Sequence, residues 1–140
     1  MTRIYHTKII ITGSNNRIHI GNECYLMNAD MCIEDSNGTI EIGYGTSICG
    51  TTHLACIEGK RIVIGKECLF SSGVVVRTGD SHSILDSEGK RINHSKNVII
   101  GDHVWVGNQT TILKGAIILE DSIVGTGAIV TKAFEEGNIV

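Results

Sequence analysis

Proline is absent from this sequence, and aromatic residues make up only 4% of its 140 residues. A core of this size ordinarily holds more phenylalanine and leucine, so many thin, repeated strands fit the composition better than one sandwich. No apolar run approaches the ~20 residues of a membrane span. Residues 1–16 contain no small-residue cleavage site, so no signal peptide is predicted. The net charge of −3 gives no sign of binding to nucleic acid or to an anionic membrane.

The cysteines lack the spacing of a disulfide framework or of a zinc site. Their number is odd and no pair has C-x-x-C spacing; they are Cys24, Cys32, Cys49, Cys56 and Cys68. Such a set favours reduced, mostly buried thiols in a cytoplasmic protein. We expect no bound metal.

What the sequence has in abundance is aliphatic β-branched residues and glycine, with 23 Ile, 10 Val and 17 Gly. An aliphatic residue recurs at every sixth position of residues 100–130: Ile100, Val106, Ile112, Ile118, Val124 and Val130. Four residues after each of the first five comes a small or β-branched residue: Val104, Thr110, Ala116, Ser122 and Ala128. Earlier blocks follow the same frame: Ile20, Leu26 and Cys32; Ile42, Ile48 and Leu54; Ile64, Phe70 and Val76.

A six-residue period matches neither a helix nor a plain strand. It fits a chain that turns a corner every six residues, so that three flat faces make a triangular coil of 18 residues. Stacked coils would pair as parallel strands ~4.8 Å apart. The aliphatic residue then points to the axis and the small one lies beside a corner. Glycine follows the aliphatic residue at the bend, where a positive φ is sometimes needed.

One segment, residues 77–97, interrupts this rhythm. Ile64 and Ile100 are 36 residues apart, whereas the earlier I-x-I-G blocks are 22 apart, so 14 residues are extra. Because 36 is two coils of 18, the phase is kept and a loop extruded from one corner is predicted. Long loops in compact folds usually carry function.

His82 is the candidate for chemistry in this loop, because histidine transfers protons near neutral pH. Asp80 and Asp86 lie close in sequence, and either could orient its ring. On residue types alone, a histidine in a polar loop is more often a solvated surface residue.

The hexapeptide pattern, over about residues 18–132, resembles the left-handed parallel β-helix acyltransferases. That resemblance implies an all-β fold, a left-handed parallel β-helix of hexapeptide repeats with about five coils and one extruded loop, in a single domain of residues 1–140. The segments "RTGDSHSILD" and "VIIGDHVWVGNQTTILKGAIILEDSIVGTGAIVTK" look like bacterial sugar O-acetyltransferases. They are similar to maltose and galactoside acetyltransferases, and closer still to enzymes that modify capsular polysaccharide and O-antigen.

The resemblance implies roles for individual residues. His82 would be the general base that takes a proton from an acceptor hydroxyl, which attacks acetyl-CoA directly. Trp105, the only tryptophan, should point outward and pair functionally with His82, as in capsule sialic-acid O-acetyltransferases; a subunit contact is the alternative. Acetyl-CoA would lie between adjacent subunits of a homotrimer, against Gly107, Asn108, Gly125, Thr126, Gly127, Thr131 and Lys132.

Three features depart from the resembled enzymes. Thr126 replaces a frequent alanine, Lys114 stands where proline is usual, and the chain ends at "EEGNIV" without the usual proline-rich tail. We expect the tail's absence to affect how tightly the adenine end of the coenzyme is held.

Three other functions stay open. An N-acetyltransferase of a nucleotide-linked amino sugar would use the same kind of histidine base. A zinc carbonic anhydrase of this fold needs histidine after the repeat glycine, where this chain has Lys66, Asp102 and Asn108. A non-catalytic assembly module would not need His82. Among the other histidines, we expect a structural role near the surface for His103, and solvent exposure for His19; His53 and His94 are weaker candidates.

Overall fold

The structure is a computed structural model that describes residues 1–134. Within these residues it contains strands and no helix, and so no helix that is long and apolar enough to cross a membrane. The strands are β1 (Arg3–Tyr5), β2 (Lys8–Ile11), β3 (Arg17–Ile20), β4 (Tyr25–Met27), β5 (Ala29–Ile33), β6 (Thr39–Ile42), β7 (Ser47–Ile48), β8 (Thr52–Cys56), β9 (Arg61–Ile64), β10 (Leu69–Phe70), β11 (Val74–Arg77), β12 (Val98–Ile100), β13 (Trp105–Val106), β14 (Thr111–Ile112), β15 (Ile117–Ile118), β16 (Ile123–Val124) and β17 (Ile129–Val130).

The strands form three parallel sheets, which are the faces of a prism. The first face is β1-β4-β7-β10-β13-β16, the second is β2-β5-β8-β11-β14-β17, and the third is β3-β6-β9-β12-β15. Each turn contributes one strand to each face, so there are five full turns and a sixth with two strands. The predicted all-β parallel β-helix is confirmed. The solenoid begins at β1, well before residue 18, and therefore has about six turns rather than five.

The inward side chains match the six-residue frame with one exception. Every member of the series from Ile100 to Val130 is at most 1% exposed, and so are Leu26, Ile48 and Phe70, which stack in register on the first face. Cys32, however, does not point inward: it is half-buried, while Met31 and Ile33 beside it are fully buried. The prediction for Cys32 is wrong because Met31, the partner of Leu54 in the next turn, follows Leu26 after five residues instead of six.

The repeat glycines are needed for close stacking rather than for positive φ. A Cβ on Gly65 would lie 2.5 Å from the carbonyl oxygen of Gly101 in the next turn. Positive φ falls two residues later, at Glu67 (53°) and at His103 (56°). The expectation that these glycines sometimes supply positive φ is therefore corrected: they let consecutive corners approach more closely than any side chain allows.

Small side chains beside the corners satisfy the backbone of the next turn. The hydroxyl of Thr46 donates to the carbonyl oxygen of Gly65 at 2.8 Å. The thiol of Cys68 donates to the carbonyl oxygen of Gly101 at 3.1 Å. All five cysteines are free, three of them buried, with Cys32 half-buried and Cys49 exposed. Burial raises the pKa of the Cys68 thiol, which keeps it protonated and unreactive.

The predicted loop leaves the prism where the chain passes from β11 on the second face to β12 on the third. β12 still pairs with β9, with Ile100 opposite Ile64 and Val98 opposite Ile62. The extra residues therefore leave the register of the solenoid unchanged, as predicted.

Candidate active site

His82 lies in the extruded loop with its side chain exposed to solvent. Its backbone is fixed: the carbonyl oxygen accepts a hydrogen bond of 2.7 Å from the amide nitrogen Nδ2 of Asn93. Ser81, directly before it, adopts a positive φ of 65°. A sharp turn and a buried asparagine thus present this histidine at a defined point of the loop.

The two aspartates that were predicted to orient the ring make other hydrogen bonds. Oδ2 of Asp80 accepts from Lys114 Nζ and, at 2.8 Å, from Asn93 Nδ2. Oδ1 of Asp86 accepts the backbone N–H groups of Glu88 and Lys90, each at 2.9 Å. Among residues 1–134, no hydrogen bond joins either carboxylate to the ring of His82, and their orienting role stays a prediction.

Trp105 lies on the outer side of the first face with 48% of its surface exposed, so its predicted outward direction is confirmed. It stands between Leu69 and Ile123 in the ladder of this face, and the three side chains form an apolar strip. With His103 and Asp121, they line a hollow of about 380 Å³.

His103 borders this hollow from the corner before β13. Its Nδ1 lies 2.8 Å from Oδ1 of Asp121 in the next turn, and this contact raises the pKa of His103. Both side chains are largely exposed, so the predicted surface position of His103 is confirmed.

The predicted coenzyme residues lie at two different corners. Asn108 and Thr126 line a hollow of about 330 Å³ between the first and second faces, together with Ser72, Gly73 and Gln109. Gly107, Gly125 and Gly127 belong to the same corner. Thr131 and Lys132 follow β17, at the corner between the second and third faces. Lys132 is exposed, with its Nζ 5.8 Å from the centre of the Phe134 ring.

The chain by itself does not bring all the predicted site residues together. The loop with His82 leaves from the corner between the second and third faces, whereas Trp105 is on the first face. Neither the hollow beside Trp105 nor the one beside Asn108 includes a loop residue.

Three further histidines, His19, His53 and His94, were weighed from the sequence. His19 is exposed, as predicted. His53, on the second face, has its Nδ1 3.2 Å from Oδ2 of Asp30. His94 is exposed in the loop. Across residues 1–134, no group of three or more His, Cys, Asp or Glu side chains is placed to hold a metal ion.

Sequence reasoning missed the residues that anchor the loop. Glu58 pairs with Arg91 at 2.6 Å, and Lys114 contacts both Asp80 and the backbone oxygen of Asn93. Lys114 was singled out only as the replacement for a usual proline, and its contact with the loop was not predicted.

Comparisons with known proteins agree with this geometry. Residues 97–132 match the family "Bacterial transferase hexapeptide (six repeats)". A solved polysialic acid O-acetyltransferase superposes on 96% of the chain and 81% of its own length, with 30% identity and a TM-score of 0.65. This chain belongs to the bacterial hexapeptide-repeat transferase family.

Two curated relatives are similar over shorter shares of their length. A polysialic acid O-acetyltransferase from Neisseria meningitidis is 34% identical over 130 residues, which cover 78% of this chain and 60% of that protein. A galactoside O-acetyltransferase from Lactococcus lactis is 27% identical over 95 residues, which cover 68% of this chain and 46% of that protein. The chain therefore spans about half of the length of these relatives.

Proposed function

We propose that this chain transfers an acetyl group from acetyl-CoA to a hydroxyl group of a saccharide, with His82 as general base. The observation that carries the proposal is the 30% identity over 96% of the chain to a polysialic acid O-acetyltransferase. His82, held by an ordered loop, supplies a proton acceptor for such a reaction.

The chemistry requires one base and no covalent enzyme intermediate. Acetyl-CoA supplies an acetyl group activated as a thioester. Nε2 or Nδ1 of His82 takes the proton of the acceptor hydroxyl while the hydroxyl oxygen forms a bond to the carbonyl carbon of the acetyl group. As the carbon–sulfur bond breaks, the imidazolium returns this proton to the departing sulfur. His82 is thereby restored for the next turnover.

The corner beside Asn108 fits a pantetheine arm. Thr126 and Gly127 are exposed there, and a Cβ on Gly127 would meet nothing within 4 Å, so a ligand can approach the backbone closely. We propose that Asn108, Gly125, Thr126 and Gly127 contact this arm. Gly107 is buried against the backbone of Thr126, so we propose that it supports Thr126 instead of touching the arm. Thr131 and the exposed Lys132 would meet the nucleotide end, where the cation suits phosphate.

The separation of His82 from Trp105 supports a site built from two subunits. A closed trimer of prisms would bring the loop of one subunit against the first face of its neighbour. We propose that Trp105 then packs beside the acetyl group or the sugar. The apolar strip around it suits a subunit contact of this kind.

The test compares His82→Ala with His94→Ala, an exposed histidine of the same loop. Release of free CoA thiol is measured with sialic acid oligomers, galactosides and nucleotide-linked amino sugars as acceptors. Loss of the base is expected to lower kcat/KM about 10³-fold for His82→Ala. His94→Ala is expected to keep the wild-type rate.

The acceptor that reacts distinguishes the functions. If only an amino sugar promotes release of CoA thiol, the activity is that of an N-acetyltransferase and not of an O-acetyltransferase. Equal rates for wild type and His82→Ala would show that His82 is not the general base. If no acceptor promotes release and acetyl-CoA does not bind, the non-catalytic module is the better explanation.

A further inference from the structure

Asn93 lies on the second limb of the loop and binds the first limb on both sides of His82. It is 8% exposed, and its Oδ1 accepts the backbone N–H of Ile84 at 2.7 Å. Its Nδ2 donates to Oδ2 of Asp80 at 2.8 Å and to the carbonyl oxygen of His82 at 2.7 Å. One buried side chain thus holds residues 80, 82 and 84 together.

Lys114 ties this arrangement to the next turn of the solenoid. It stands at the corner between β14 and β15, and its Nζ contacts Oδ2 of Asp80 and the carbonyl oxygen of Asn93, the latter at 3.2 Å. Its side chain is only 23% exposed. Hydrogen bonds that involve a charged group are stronger than neutral ones, most of all when partly shielded from water.

A second ion pair fixes the loop to the preceding turn. Oε1 of Glu58 accepts from Arg91 at 2.6 Å, and Oε2 accepts the backbone N–H of Ser95 at 3.2 Å. The loop is therefore held from both sides, by Glu58 on one turn and by Lys114 on the other.

We infer that Lys114 and Asn93 are positioning residues for the proposed base His82; this inference rests on the proposed function. Within residues 1–134 no hydrogen bond is made to the ring of His82, so its place depends on its backbone. Asn93 holds that backbone, and Lys114 holds Asn93 and Asp80. A displacement of about 1 Å can cost ~10²-fold in rate even when the reacting groups are intact.

The test removes the charge of Lys114 while keeping most of its stem. Lys114→Met is expected to lower kcat about 10-fold to 100-fold, with KM for acetyl-CoA within about 2-fold of wild type. Lys114→Arg, which keeps the cation, is expected to restore much of kcat. Lys90→Met, at the exposed tip of the same loop, is the matched control and is expected to match wild type.

Hydrogen exchange provides a readout that does not depend on activity. In Lys114→Met, the amides of residues 80–96 should exchange faster, while those of the strands should be unchanged. Wild-type kcat together with unchanged loop exchange in Lys114→Met would overturn the inference. If Lys114→Met does not fold, Asp80→Asn weakens the same ion pair without changing the solenoid corner.

The two proposals fail in different ways. If no acceptor supports wild-type activity, the proposed function fails, whereas loop exchange still decides whether Lys114 anchors the loop. If His82→Ala is inactive but Lys114→Met keeps its kcat, only the positioning role is lost.

Discussion

At the scale of single residues, the corner that follows β9 shows two different backbone demands. Gly65 lies against the next turn, so a Cβ would be 2.5 Å from the carbonyl carbon of Gly101 and 2.4 Å from Oδ1 of Asp102. Glu67, two residues on, has a φ of 53° despite its side chain. Close approach and left-handed backbone are thus assigned to different residues of one corner.

This division predicts that two substitutions at the corner change the free energy of unfolding by very different amounts. Gly65→Ala should lower the free energy of unfolding by about 2 kcal/mol or more, because the clash is with backbone that cannot move independently. Glu67→Gly should change it by less than about 1 kcal/mol, because relief of the left-handed strain offsets the added freedom of the unfolded chain. Urea unfolding at one fixed protein concentration measures both.

A Gly65→Ala variant as stable as wild type would contradict the stacking argument, since the two turns would then be able to separate at little cost. A Glu67→Gly variant that loses as much stability as Gly65→Ala would place the constraint on the side chain of Glu67 rather than on its backbone.

Residue patterns predicted the walls of the prism and failed where the spacing changes. The series from Ile100 to Val130 is periodic, and all its members are buried. Cys32 was misassigned because the corner before β5 is one residue shorter, which shifts burial to Met31. The first turn was not predicted because Ile9 and Ile11, which align with the buried Met31 and Ile33, follow Ile4 after five and seven residues.

At the scale of elements, the loop after β11 is ordered by contacts that its sequence does not reveal. Its position and the preserved register follow from the distance between Ile64 and Ile100. The partners of Asp80 cannot be read from the sequence, because Lys114 is 34 residues away. It contacts Asp80 only because the folded loop passes beside the corner that carries Lys114. From the sequence, Asp80 and Asp86 were alternative candidates to orient His82, and no partner 34 residues away was predicted.

The carboxylates at the base of the loop predict a response to acid. The hydrogen bond from Lys114, followed by that from Asn93, holds the pKa of Asp80 below its ordinary value of 3.8. Arg91 lowers the pKa of Glu58 below 4.5. Since both pKa values are lowered by folding, the stabilisation is complete above the ordinary carboxyl range and is lost as the pH falls through the folded values.

We therefore expect the loop to open before the solenoid on acidification. Amide exchange of residues 80–96, corrected for intrinsic rates, should be constant from pH 7 to ~5 and should rise below pH ~4. Lys114→Met should show a smaller rise, because its loop is already loosened. Protection of the loop that persists until the strands themselves exchange would contradict this expectation.

At the scale of the whole molecule, the prism consists almost entirely of its three sheets, and the parts of the proposed site lie on different sides of it. His82 is carried by a loop at one corner, the apolar strip of Leu69, Trp105 and Ile123 lies on the first face, and the hollow beside Asn108 lies at another corner. Three copies around a threefold axis can oppose these parts without any change in the chain. In the trimer that we propose, activity would be a property of the assembly.

Mixed trimers test this arrangement directly. His82→Ala and Trp105→Ala are each expected to have little activity alone. If His82 of one subunit works with Trp105 of the next, every trimer that contains both variants has one intact site. Equal, random mixing after joint refolding should then restore about a quarter of the wild-type rate. Mixing His82→Ala with Lys114→Met should restore nothing, because Lys114 holds the loop of its own subunit. If the first mixture is no more active than its separate components, His82 and Trp105 do not form a site across subunits.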